Sequence, residues 1–272
     1  MLKQTRRLSG RAYSTSSAFT KISVLKDASL NTFRANAFEP AQPHLLPRGH
    51  FASLPAKTKW FFPTTSSLNE KYLSKYSDAI VPLEVTTHDG EFIRVNQRLS
   101  FFIDASGGNI LGAQVYLAQA SLSDLPDGLR DDVPTPDLVL NAGKGDVYDS
   151  SLWIGRAPTY TPLHRDPNPN LFVQLAGTKK VRLFEPFVGD AIFASVQRIV
   201  GGAASATMRG EEMMMGEERK VLEEAVWDGK HDVVPNGQGW ECEVNAGDGL
   251  FIPRGWWHSI KGIGEDMTGS VC

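Results

Sequence analysis

His164 and Asp166, one residue apart, and His258 further along the chain are the side chains that could hold a reactive metal together. Two imidazoles and one carboxylate occupy one face of an octahedral ion and leave the other face open, which suits an iron(II) oxygenase centre better than a closed structural zinc site. With six histidines in 272 residues, one His-X-Asp tripeptide is weak evidence by itself. Its context strengthens it. His164 lies at the end of a strand expected over 151–160, and His258 follows Pro253-Arg-Gly in a separate strand, so two strands can bring three ligands to one point. Lys179 offers a second kind of chemistry. Strand alternation puts it on one face with Val181 and Leu183, and a lysine on an inward apolar face is costly unless an anion meets it. The distal carboxylate of a dicarboxylate would do so, with the Thr161 hydroxyl as a second donor. The alternative is a surface lysine at a strand end.

The elements that must position these residues are mostly short strands. Segments 79–87 and 91–96 flank His88-Asp89-Gly90, a hairpin signal. Segments 112–118 and 151–156 also have strand character. Leu171-Phe-Val-Gln-Leu175 and Lys179-Lys-Val-Arg-Leu-Phe184 suggest a hairpin turning at Gly177. Trp240-Glu-Cys-Glu-Val244 and Leu250-Phe-Ile-Pro253 suggest another, and Trp256 begins a further strand. Many short strands with glycine-rich turns indicate an antiparallel sandwich or barrel with a few flanking helices. Prolines 40, 43, 47, 55 and 63 among aromatic anchors describe an irregular arm docked on the domain, and a short helix is expected over 66–76. Residues 188–230 differ in composition and predict a solvated insertion, with an active-site lid as the sharper alternative.

Composition narrows the function classes. A chain with 41% apolar and 22% charged residues can bury a sizeable core, and no stretch approaches the length of a membrane-spanning helix. Cys242 and Cys272 are too few for a disulfide framework or a thiolate zinc site. Residues 1–26 carry six basic groups and no acid, leaving 22 basic groups against 31 acidic ones in the rest. The acidic body disfavours nucleic acid and favours a protein or small-molecule substrate. The basic, Ser-rich start, with Arg-Ala-Tyr-Ser at 11–14, predicts a mitochondrial targeting segment over 1–25, the alternative being a solvated terminus of a cytoplasmic or nuclear protein.

Trp153-Ile-Gly155, Thr161-Pro-Leu-His-Arg-Asp166, Asn170-Leu-Phe-Val-Gln174, Gly177-Thr-Lys179, Leu183-Phe-Glu-Pro186 and the run from Gly247 to His258 together resemble the JmjC-domain oxygenases. The nearest subgroup by these motifs is the cupin-like one containing the asparaginyl hydroxylase of hypoxia-inducible factor. The resemblance implies an all-β double-stranded β-helix, or jelly roll, over 110–272, preceded by an arm and the start of the domain over 26–109. It implies iron(II) held by His164, Asp166 and His258, and 2-oxoglutarate held by Lys179, Thr161 and Tyr116. Members of the family hydroxylate or demethylate proteins, and some hydroxylate RNA nucleosides. A catalytically impaired cupin-type binding protein is the competing expectation. Trp256 and Trp257 correspond to the family's aromatic pair and are expected to pack so as to fix His258. One departure stands out: where the family continues to an asparagine and further structure, this sequence has Ser270-Val271-Cys272. The domain is therefore expected to be short at this end, with an open strand edge available for self-association.

Overall fold

The computed structural model describes residues 19–107, 112–202, 214–235 and 237–272. The segment 1–18, with the expected cleavage context at Tyr13 and Ser14, lies outside the described residues. Phe19 to Leu25, read in the sequence as the end of a targeting segment over 1–25, packs into the folded body. Strand β1 (Phe19–Lys21) pairs in parallel with β10 (Gly239–Asn245), and Ile22 and Leu25 are buried.

Thirteen strands among the described residues form two sheets. The five-stranded sheet runs β1, β10, β9 (Thr178–Phe184), β12 (Trp257–Ile263) and β7 (Thr159–Arg165). The eight-stranded sheet runs β2 (His44–Leu45), β11 (Gly249–Ile252), β8 (Asn170–Ala176), β13 (Met267–Val271), β6 (Ser151–Arg156), β5 (Ala113–Ser121), β3 (Ile80–Thr87) and β4 (Phe92–Arg98). From β6 onward the chain alternates between the sheets, except that β9 and β10 stay together. This winding is the double-stranded β-helix that the motifs implied.

The hairpin read at His88-Asp89-Gly90 forms, with β3 antiparallel to β4. The two hairpins read further along do not. β8 bonds to β11 and β13 while β9 bonds to β10 and β12, and β10 and β11 likewise lie in different sheets. These turns are corners that carry the chain across the sandwich. Gly177 makes one of them at φ +64°, where a Cβ would stand 2.5 Å from the Met267 carbonyl oxygen. The Asp248 carboxylate pins the other, accepting the Asn245 and Gly49 N–H groups at 3.0 and 2.9 Å and pairing with Arg48.

Three apolar clusters hold the layers. One fills part of the space between the sheets with Phe172, Val181, Leu183, Val244, Leu250 and Trp256. The largest packs the outer face of the eight-stranded sheet against the N-terminal arm. That arm is more helical than its prolines suggested, with short helices at Leu30–Phe33 and Pro55–Lys59, and the helix expected over 66–76 forms at Glu70–Leu73. Its polar anchor is Asp132, 1% exposed, which accepts from Trp60 Nε1 at 2.8 Å and the Tyr72 hydroxyl at 2.6 Å and pairs with Lys59. The third cluster corrects the reading of 188–230 as solvated or lid-like. Helices Pro186–Val200 and Gly216–Trp227 bury Ile192, Phe193, Val196, Leu222 and Val226 against Leu163, Phe184 and Trp257 on the outer face of the five-stranded sheet.

The expected open edge at the last strand is absent. β13 is bonded on both sides, to β6 and β8, and Cys272 exchanges backbone hydrogen bonds with Ser151. Hence β13 offers a second copy no free edge.

Candidate metal centre

Register across the five-stranded sheet lines up three rows on its inner face: Leu183, His258 and His164; Val181, Ile260 and Thr161; Lys179, Gly262 and Thr159. Between the first two rows β7 carries one more residue than β12, a β-bulge. The bulge lets His164 and Thr161, three residues apart, face the same way. From the opposite sheet come Tyr116 on β5, Gly155 on β6, Asn170 on β8 and Ser270 on β13. Strand alternation sets their outer neighbours, Leu117, Ile154 and Val271, into the large core, so these face inward. The interior is thus apolar at one end and polar at the other.

The His164 and His258 rings lie 4.1 Å apart between centroids, and His258 Nε2 is 3.6 Å from Asp166 Oδ2. One ligand atom from each of His164, Asp166 and His258 falls within 4.8 Å of the others. Adjacent ligands about 2.1 Å from a common ion stand roughly 3 Å apart, so a slight tightening accommodates a metal. Each imidazole spends Nδ1 on a main-chain oxygen, His164 on Pro162 at 2.8 Å and His258 on Trp256 at 3.2 Å. That fixes the rings and leaves both Nε2 atoms for a ligand role. Asn170 Nδ2 donates to Asp166 Oδ2 at 3.0 Å and orients the carboxylate.

Protonation suits the same role. Burial, reinforced by the neighbouring His164 and opposed by Asp166, pushes the His258 pKa down to about 4. Burial alone would raise the Asp166 pKa, but His258, His164 and the Asn170 amide together bring it below the usual carboxylate value. A neutral imidazole beside an ionised carboxylate is the state a cation needs.

Lys179 is 3% exposed, and its Nζ meets the Ser270 hydroxyl at 2.7 Å and the Tyr116 hydroxyl at 3.4 Å. Among the described residues no carboxylate pairs with it. Burial pushes its pKa down to about 7, opposed by the nearby Cys272 thiol. Burial holds the Tyr116 phenol well above its usual pKa, so it remains a neutral donor, with the Thr159 hydroxyl beside it. The Tyr116 ring lies against Gly155, where an added Cβ would come 2.2 Å from it. A larger residue at 155 would push this phenol off Lys179.

The structure therefore gathers His164, Asp166 and His258 in one cluster and Lys179 with Tyr116 in another. Thr161 lies in the row between them, while Thr159 is the threonine at the Tyr116 hydroxyl. Sequence reasoning passed over Thr159, Ser270 and Asn170. Thr159 and Ser270 carry no signal without the strand register, whereas Asn170 stood inside a recognised motif, four residues after Asp166. The tryptophan pair divides at the start of β12, Trp256 just before the strand and Trp257 its first residue. Trp256 meets Trp240 in the interior at 5.2 Å, and Trp257 stacks on Phe193 outside at 5.3 Å.

A cleft of about 420 Å³ opens over Asp166, Asn170, Trp153 and Cys272. Its lining includes Asp146 and Asp149 and, among the described residues, no lysine or arginine. Tyr148 stands 75% exposed on the rim.

Comparison with known proteins agrees with this geometry. A family profile described as a cupin-like domain matches residues 31–271. The chain is 27% identical over 245 residues to a lysine-specific demethylase of Arabidopsis thaliana, covering 88% of this chain and 52% of that protein. It is 25% identical over 261 residues to lysine-specific demethylase 8 of Xenopus tropicalis, covering 93% and 52%. It is 26% identical over 176 residues to a bifunctional peptidase and (3S)-lysyl hydroxylase of Homo sapiens, covering 60% and 54%. The chain spans about half the length of these relatives.

Proposed function

Because this chain belongs to the cupin-like family that includes the JmjC iron(II)- and 2-oxoglutarate-dependent oxygenases, we propose that it oxidises a cationic side chain of a protein substrate. The observation that carries this reading is the buried, acid-free Lys179 ammonium beside a His, Asp, His cluster. A buried charge of that kind is costly unless an anion completes it.

The donor set fits iron(II), which His164, Asp166 and His258 would hold, Asp166 being the one of the three that lines the cleft. The polar chamber fits 2-oxoglutarate, with Lys179 meeting a terminal carboxylate, Tyr116 and Ser270 supplying hydroxyls, and Thr161 one row nearer the metal. When bound, the iron and the co-substrate supply with dioxygen the oxidising chemistry for a C–H bond. The protein's part is positional. The two Nδ1 anchors hold the imidazoles, Asn170 holds the Asp166 carboxylate, and the Phe172, Val181 and Leu183 wall keeps water from Lys179.

The acidic cleft supports a cationic target over the asparagine of the subgroup first resembled, since Asp146 and Asp149 would favour an ammonium or guanidinium approaching the metal. Three of the relatives described above carry lysine in their names, which is consistent with it. Hydroxylation and demethylation use the same centre and differ in which carbon is attacked.

The test is turnover of 2-oxoglutarate by the iron-loaded chain with lysine- and arginine-rich peptides, methylated and unmethylated, followed by mass spectrometry. Gain of one oxygen marks hydroxylation, and loss of methyl with formaldehyde release marks demethylation. Metal and 2-oxoglutarate binding without decarboxylation under any condition would favour the binding-protein alternative.

Mitochondrial residence belongs to the same proposal and rests on the composition of residues 1–26 alone. Removal near Tyr13 would spare β1, which starts at Phe19.

A further inference from the structure

Two separate cavities approach the candidate site. A second cavity, of about 460 Å³, ends on Tyr116 and Thr159, and its lining shares no residue with that of the acidic cleft. The Tyr116 and Trp153 rings, 6.3 Å apart, stand between the two, Tyr116 lining the second cavity and Trp153 the first. Tyr116 is also the residue whose hydroxyl touches Lys179, so the second cavity stops one side chain short of the ammonium.

The two mouths carry opposite charge. The acidic cleft has Asp146 and Asp149 and, among the described residues, no lysine or arginine, Asp166 being counted with the metal it would hold. The second is bounded by Arg156, Arg219, Lys220 and Lys261 against Glu84 and Glu223. Glu223 is taken up by Lys261 at 2.6 Å, and Glu84 lies opposite Arg94 in the strand register. Arg156 donates only to main-chain oxygens, of Glu265 and Ser106, and keeps its charge. Arg219 lies over the Tyr160 ring at 4.9 Å, and Lys220 has an exposed pairing with Glu217 at 3.9 Å and a weaker attraction to Glu224. Surface pairs of that kind neutralise little. With a screening length of about 8 Å at physiological salt, a small dianion responds to the mouth it is in rather than to the net charge of the chain.

We propose that 2-oxoglutarate enters and leaves through the basic mouth, where Arg156, Arg219 and Lys220 leave positive charge beyond the Lys261–Glu223 pair, while the acidic cleft is reserved for the cationic substrate. The inference rests on the oxygenase reading and adds to it a division of labour between two openings. Under it, co-substrate exchange does not wait for substrate to leave the cleft.

The experiment is stopped-flow binding of 2-oxoglutarate to the full chain loaded with manganese(II), which prevents turnover, read by tryptophan fluorescence. Reversing charge on the exposed helix in Arg219→Glu/Lys220→Glu slows association by about tenfold or more at low salt, and leaves dissociation unchanged. Lys220→Glu alone gives a smaller change in the same direction, which guards against a folding defect in the double variant. The difference vanishes at 1 M salt, where the screening length is about 3 Å. Asp146→Lys in the acidic cleft leaves association unchanged. If Asp146→Lys accelerates association while the helix variants do nothing, the dicarboxylate uses the acidic cleft and the proposal is overturned. Absence of 2-oxoglutarate binding by the metal-loaded wild type would overturn the oxygenase reading itself, a separate and distinguishable failure.

Discussion

Replacing Lys179 by Met deletes a charge while keeping an unbranched stem in a position that is 3% exposed. At pH 6 the amine is protonated in both the folded and the unfolded chain. Lowering its pKa from 10.5 to about 7 then costs the folded state about 5 kcal/mol, at about 1.4 kcal/mol per pH unit. Because the folded pKa is the lower one, the folded state loses the proton first, and the cost fades as pH rises from 7 toward 10.5. At pH 9 about 2 kcal/mol of it remains. Against this, Met strands the Ser270 hydroxyl, which costs about 1–3 kcal/mol. The metal-free variant is therefore expected to be more stable than wild type by about 2–4 kcal/mol at pH 6 and equal to it near pH 9. Its affinity for 2-oxoglutarate should fall at least about tenfold, the worth of one charge-assisted hydrogen bond. Urea unfolding at the two pH values and calorimetric titration of the manganese-loaded protein measure both. A variant less stable than wild type at pH 6, or a stability difference that ignores pH, would refute the uncompensated buried ammonium. Unchanged affinity would move the anchor elsewhere, with Lys180 the first residue to examine.

His164→Ala and Asp166→Ala should each weaken iron(II) or manganese(II) binding by about tenfold or more, followed by metal titration, and unchanged affinity in both would end the assignment. Asp132→Ala should destabilise the fold by about 1–3 kcal/mol, because it strands the buried Trp60 indole N–H while the half-exposed Lys59 and the Tyr72 hydroxyl turn to water, and an unchanged melting temperature would contradict this. Gly155→Val should lower 2-oxoglutarate affinity while sparing metal affinity, since the Cβ displaces the Tyr116 ring and no metal ligand, and equal loss of both would point to general misfolding. Residues 1–30 fused to a fluorescent protein should direct it to mitochondria, and a diffuse cytosolic signal would count against import.

Much of this protein is local in origin and therefore legible along the chain. The alternation of apolar and polar residues marks β3 to β6, β9, β10 and β12, because a strand with one buried face has a period of two whatever it pairs with, and β8 and β11 stand out as short apolar runs. The His-X-Asp spacing and the strand-borne Lys179 depend on the same period, and they identified the candidate chemistry before any contact was known. Pairing is a different matter. Leu171–Leu175 and Lys179–Phe184 look like a hairpin in sequence and belong to opposite sheets, because each finds its hydrogen-bond partners in β10 to β13, far along the chain. The helices of 186–227 look charged and solvated until the outer face of the five-stranded sheet presents Leu163 and Trp257 for them to cover. Thr159 and Ser270, a threonine and a serine like many others, become partners of the candidate anion site only through a bulge in β7 and the central position of β13. Short-range periodicity is written in the residues themselves, whereas register and sheet exchange are settled by long-range pairing, whose alternatives differ only in the assembled sandwich.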